Sequence, residues 1–167
     1  MATNPPLASR RGLGGLSALI GGAAMIGAVF LPWLAYPSLG NTIRGWDTFA
    51  LASGGTRWFT QHAFDAYGLS PGFTGMSVLI AGGLLGVSGG AMLFSLRGGG
   101  FRLRAATMRA LRVLALVAFV VGGTNLVSAY ATGGSGLVTP EWGLFQSAAG
   151  AMIGLVAVWL GLSRDRS

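Results

Sequence analysis

Hydrophobic residues run almost unbroken through four stretches of the chain, from about Gly12 to Ala35, Phe73 to Leu96, Leu111 to Tyr130 and Leu144 to Leu162. Crossing the hydrocarbon core of a bilayer as a helix takes about 20 predominantly apolar residues, and each stretch is long enough. Their interiors hold no Asp, Glu, Lys or His, and the one Arg among them, Arg112, sits at the edge of the third. The pattern predicts an all-α membrane protein, a four-transmembrane-helix bundle forming one integral domain over residues 1–167. Residues 36–72 and 131–143 become the connections on one side, and 97–110 the connection on the other.

Composition agrees. The chain is 52% hydrophobic and 9% charged, whereas a soluble domain carries about 25% charged residues to solvate its surface. Of its 30 glycines, 17 fall inside the four apolar runs, where small residues let helices pack closely in a membrane.

Charge adds direction. All 11 basic residues are Arg, and nine of them flank the two termini and the 97–110 connection, against Arg44 and Arg57 opposite. Positive residues in short loops stay on the cytoplasmic side, so both termini are expected there, in a bacterial inner membrane. Trp33, Tyr36, Tyr130 and Trp142 then fall at the outer interface, where amphipathic rings collect. Ser9-Arg10-Arg11-Gly12-Leu13 before an apolar run resembles a twin-arginine export signal. The run is longer than a signal's, however, and no A-x-A site follows Phe30-Leu31-Pro32-Trp33. The expectation is therefore an anchored first span. With the basic charge beside apolar spans and not on one face of a polar module, nucleic acid is not an expected partner.

The long outer connection has room for structure of its own. Ser53-Gly54-Gly55 and Ser70-Pro71-Gly72 are chain breakers, and between them Trp58, Phe59, Phe64 and Tyr67 interleave with polar residues as an amphipathic helix would. Trp46 to Leu51 reads as a second, shorter helical turn. Trp46, Trp58, Phe59, Phe64 and Tyr67 make this partly helical loop the expected contact surface for a protein partner or the membrane.

Within the spans, small residues recur at intervals of four. Gly82, Gly86 and Gly90 form a double G-x-x-x-G, and Gly150 and Gly154 another, a spacing that lets helix backbones approach closely. Packing inside the bundle and docking of another subunit both use such faces. Asn125 and Gln146 are expected at similar depth in the outer halves of the third and fourth spans, where an interhelical hydrogen bond, or a small polar vestibule, would satisfy them.

Other chemistry is sparse. The absence of cysteine removes disulfides and thiolate metal sites. A single His62 with scattered carboxylates lacks a catalytic or metal-binding motif, and no ionisable residue lies deep in a span to relay protons. No catalytic, cofactor or metal residues are assigned, and a non-enzymatic protein is expected.

Leu31-Pro32-Trp33 followed by Gly45-Trp46-Asp47-Thr48 resembles small four-span membrane proteins of actinobacteria, which pair an L-P-W at the end of span one with a G-[FLW]-D/S-type turn in the loop. The resemblance implies topology and a place in the cell envelope. A large first outer loop bearing tryptophans is also similar to claudin-like bundles, but their paired cysteines are missing and no function follows. The expected role is an accessory or assembly subunit of a larger inner-membrane complex, with membrane lipids and other subunits or a second copy as partners. The alternative is a small-molecule or lipid-binding membrane protein with its site between the outer helix halves.

Overall fold

The computed structural model describes residues 7–37, 40–52, 75–97, 105–133 and 139–162. Its elements in chain order are helix α1 (Leu7–Ala28), strands β1 (Pro32–Tyr36) and β2 (Asn41–Arg44), helix α2 (Gly45–Ala52), helices α3 (Gly75–Arg97) and α4 (Ala105–Gly133), strand β3 (Thr139–Pro140) and helix α5 (Trp142–Gly161). Four of them, α1, α3, α4 and α5, are long and apolar enough to cross a membrane.

The long helices alternate in direction around a square. Gly14 of α1 lies against Ala157 and Gly161 of α5, whereas Gly21 lies against Gly150 and Gly154, so these two helices are antiparallel. Gly15 against Gly89 and Gly22 against Gly82 make α1 and α3 antiparallel as well. Gly122 against Ala151, and Arg112 against Leu162, do the same for α4 and α5. Arg10, Arg109 and Arg112 are thereby gathered at one end of the bundle.

Buried positions follow a heptad more closely than a four-residue repeat. On α4 they are Leu111, Ala115, Ala118, Gly122, Asn125 and Ala129, in alternating steps of four and three. That 3.5-residue period keeps a seam facing its neighbour along the whole helix. The α1 helix carries two such seams because its glycines come as doublets, Gly14-Gly15 and Gly21-Gly22. Adjacent helical residues point about 100° apart, so one glycine of each doublet faces α5 and the other faces α3. A Cβ built on Gly21 would lie 2.5 Å from the Gly150 carbonyl oxygen, and one on Gly22 2.6 Å from that of Gly82. No side chain fits there. The contacts are backbone on backbone, where weak Cα–H···O bonds each contribute about 0.5–1 kcal/mol.

The first span departs from the expected 12–35. Its helix starts at Leu7 and stops at Ala28, followed by a tightening turn in which Val29, Phe30 and Leu31 donate to Ile26, Gly27 and Ala28. Pro32 disfavours helical backbone at the preceding residue, and the chain continues as β1. The architecture is that of the expected helical bundle, with one addition. A small antiparallel sheet, ordered β2-β1-β3, covers the end of the bundle opposite the arginines. Leu34, Ala35 and Tyr36 pair with Ile43, Thr42 and Asn41, while Leu34 and Ala35 pair on the other side with Pro140 and Thr139. Gly40, at φ 63°, turns the chain between β1 and β2. The 131–143 connection thus contributes a strand, and Trp46–Leu51 lies inside α2 as its sequence suggests.

Candidate functional site

The sheet-capped end is organised around Trp33. The register of β1 against β2 slips between Pro32 and Leu34, and such a bulge re-aims a side chain. Trp33 is fully buried and its indole Nε1 donates to the Ala28 carbonyl at 2.8 Å, so the ring's one polar atom is satisfied. Two glycines make room for the ring. A Cβ on Gly45 would sit 2.5 Å from Trp33 Cε2, and one on Gly143 2.6 Å from Trp33 Cδ1. Trp33 therefore clamps the starts of α2 and α5 against the end of α1.

The rest of the L-P-W and G-W-D-T runs completes that latch. Trp46 N–H donates to the Val29 carbonyl at 2.7 Å and Gly45 N–H to Leu31 at 3.4 Å. Amides at the start of α2 thus meet carbonyls beyond the end of α1. Asp47 Oδ2 accepts from the Arg44 N–H at 2.8 Å, the reaching-back half of a capping box. Thr48 is buried, and its hydroxyl donates to the Gly45 carbonyl at 2.6 Å while accepting from the Gly75 N–H at 2.8 Å. That bridge ties α2 to the first residue of α3.

Around this rigid centre lies a ring of exposed aromatics. Trp46 is 45% exposed and stacks on Phe30, with ring centroids 6.0 Å apart and planes 19° from parallel. Tyr130 meets Phe145 edge-on at 6.1 Å, and Trp142 is 71% exposed. Trp58, Phe59, Phe64 and Tyr67, with His62, lie outside the described residues. Among the described residues no group of three His, Cys, Asp or Glu could hold a metal ion.

The outer polar pair does not form. Gln146 Nε2 donates to the Ala24 carbonyl of α1 at 3.2 Å, and Asn125 Nδ2 to Val121 of its own helix at 2.8 Å. Similar depth does not bring the two amides together. Rotation separates them, because on α5 it is Ser147, one residue on, whose backbone lies against α4 at Gly122. Asn125 Oδ1 and Ser147 Oγ are buried with no hydrogen-bond partner.

The glycine runs divide by face. Gly150 lies in the α1–α5 seam, where a Cβ would come within 2.7 Å of the Gly21 carbonyl, and Gly154, whose backbone Gly21 approaches, would with a Cβ collide with Leu85 of α3. Gly82 and Gly89 close the α1–α3 seam, with a Cβ on Gly89 only 2.6 Å from the Gly15 carbonyl. Gly86 and Gly90 do not continue that closed row. The Gly22 side packs toward the backbone of Gly86, but Cβ positions on Gly83, Gly86 and Gly90 would meet nothing within 4 Å. These three border the face of α3 that also presents Ile80, Val87 and Phe94, all more than half exposed. The seam doublets of α1 were legible as a seven-residue repeat of Gly-Gly, a signal that a search for intervals of four passes over.

At the opposite end Arg112 Nη2 donates to the Leu162 carbonyl at 2.7 Å, and its guanidinium lies 5.1 Å from the centre of the Trp159 ring. The residue thus caps the C-terminus of α5, where a cation meets the negative end of the helix dipole.

Comparison with protein-family models, with curated proteins and with solved structures finds no match to this chain.

Proposed function

We propose that the protein is a non-enzymatic accessory or assembly subunit of a larger complex in a bacterial inner membrane, with both termini cytoplasmic. The observation that carries the reading is the open glycine face of α3. Gly83, Gly86 and Gly90 meet nothing within 4 Å, while the glycines of α1 and α5 are largely taken up by seams inside the bundle. In lipid, small residues are enriched where another helix approaches closely, so the proposed occupant is a transmembrane helix of another subunit.

The sheet-capped end supports the same reading. Trp33 and Thr48 hold it firmly, and Trp46 and Phe30 are displayed on its rim. A rigid exposed aromatic costs little entropy to dock, as interface anchors require. Orientation rests on the nine arginines that flank the termini and the 97–110 connection.

The test is a photo-reactive residue placed at Val87, on the open face, followed by purification in mild detergent. A stoichiometric membrane protein cross-linked at Val87, and lost on Gly86→Leu, is expected. Cross-links to lipid alone would reject the accessory role in favour of a lipid-binding one.

A further inference from the structure

Where α4 meets the end of α5, at the arginine-rich end of the bundle, there is a cavity of about 180 Å³. Ala105, Met108, Arg109 and Arg112 of α4 line it, with Leu162 just beyond α5. Arg112 is held in place from the protein side. Its Nη2 donates to the Leu162 carbonyl at 2.7 Å, and its guanidinium lies 5.1 Å from the centre of the Trp159 ring. A guanidinium carries five N–H donors in a fixed fork, and one carbonyl leaves most of them over. Its Nε is buried with no hydrogen-bond partner among the described residues. Arg109 is exposed and stands one turn back on the same face of α4. Like charges at that spacing repel, yet both line this one cavity, whose walls include no carboxylate.

The surrounding sequence does not balance that charge. Nine arginines flank the spans at this end against one acidic residue, Asp165, which lies outside the described residues. One carboxylate cannot neutralise nine guanidiniums. The first turn of α4, which enters the lining at Ala105 and Met108, holds no acidic residue and adds the positive end of a helix dipole. The cavity therefore combines fixed positive charge with room for a tetrahedral oxyanion. Arginine forks match the oxygens of phosphate and carboxylate alike. Depth decides between them. Leu162 ends the fourth apolar run, so the cavity opens at the level of lipid headgroups, where basic pockets between helices take phosphate.

We propose that Arg109 and Arg112 bind one phosphate oxyanion in this cavity. A lipid headgroup and free phosphate share that chemistry, and the site stands independently of the accessory role.

The test has two arms on the full chain in neutral detergent. Native mass spectrometry compares phosphatidylglycerol with phosphatidylcholine of identical chains, and detergent melting compares inorganic phosphate with chloride at equal ionic strength. A preference for phosphatidylglycerol identifies the headgroup as the source, whereas a phosphate-dependent rise in melting temperature without it identifies free phosphate; either supports the site. Arg109→Gln and Arg112→Gln should each lower the preference about fivefold, the effect of one basic residue near an anionic surface, or abolish the phosphate-dependent rise. Arg109→Gln leaves the Leu162 and Trp159 contacts in place, and so keeps the test valid if Arg112→Gln fails to fold. Arg10→Gln, on α1, should change either readout less than about twofold, as a screened charge does. A parent that shows neither the preference nor the rise would overturn the proposal. So would an Arg10→Gln loss as large as that of Arg109→Gln, since charge would then act diffusely. A gain on Asp165→Asn as large as the loss on Arg109→Gln would also overturn it, because the chain's own carboxylate would then hold the cavity.

Discussion

Helices α1 and α4 stand at opposite corners of the bundle and are held there by different means. At its glycine doublets α1 meets the backbone of a neighbour on both sides, so close that no Cβ fits. The α4 seam is a heptad of alanines with Leu111, Gly122 and Asn125, and 28% of its most apolar stretch is buried against 39% for that of α1. The same contrast holds for polar groups. On α4, Asn125 Oδ1 and Arg112 Nε are buried without hydrogen-bond partners, whereas the buried stripe of α1 contains no polar side chain. Between helices in lipid there is no hydrophobic drive to press them together, so contact distance sets the strength of association. The lesson is that α1 is the fixed axis of this protein and α4 its adaptable wall.

The sharpest way to break that contrast is an intrusion at each corner. Gly21→Leu should cost about 3 kcal/mol or prevent folding, since overpacking cannot be relieved by moving a backbone oxygen. Ala118→Leu on α4 should cost clearly less by thermal unfolding in detergent. Equal losses at the two sites would mean that the corners do not differ.

Next in size is the latch that fixes the cap to α3. Thr48→Val keeps the shape but leaves the buried Gly75 N–H without its acceptor, and a loss of about 2 kcal/mol is expected. Exchange of the Gly75 amide should rise in parallel. An unchanged amide would show that water replaces the hydroxyl and that the latch is not closed.

At the adaptable corner the effects shrink and one changes sign. Arg112→Gln gives up the Leu162 carbonyl and the Trp159 face and should cost about 1 kcal/mol. Asn125→Leu removes an amide whose Oδ1 has no partner, so stability should stay within about 1 kcal/mol of the parent and move upward. A loss of several kcal/mol on Asn125→Leu would mean that the amide holds α4 in place through a contact that its single bond to Val121 does not provide.

The spans were legible because apolar length is a coarse property, insensitive to which neighbour a residue faces. Three of the four ends near the sheet lie within about three residues of the pattern's prediction. The first does not, since Val29 to Ala35 is as apolar as a helix but is diverted at Pro32 into the cap, where Trp33 and Leu34 are buried. That sheet was hidden for the same reason. Pro32-Trp33-Leu34-Ala35-Tyr36 lacks alternation, because Trp33 is a bulge residue facing inward, and β3 is only two residues long. The site was half legible. Glycine spacing identified close approach, and the structure assigns it face by face, leaving Gly86 and Gly90 open. The amides Asn125 and Gln146 were matched in depth but not in rotation, a distinction one span pattern cannot supply. Why Gly45, Asp47 and Thr48 follow Trp33 as they do is now physical. Each makes a contact that the cap requires.

The central claim is that α3 divides its glycines between a seam inside the bundle and a face for another subunit. Gly82 and Gly83 are neighbours in sequence, yet a Cβ on Gly82 would lie 2.9 Å from the Gly22 carbonyl and one on Gly83 would meet nothing within 4 Å. The direct measurement is detergent melting and partner co-purification on Gly82→Leu and Gly83→Leu side by side. The account predicts that Gly82→Leu lowers the melting temperature, whereas Gly83→Leu melts like the parent and loses its partner. A Gly83→Leu variant that still co-purifies with a stoichiometric partner would contradict it.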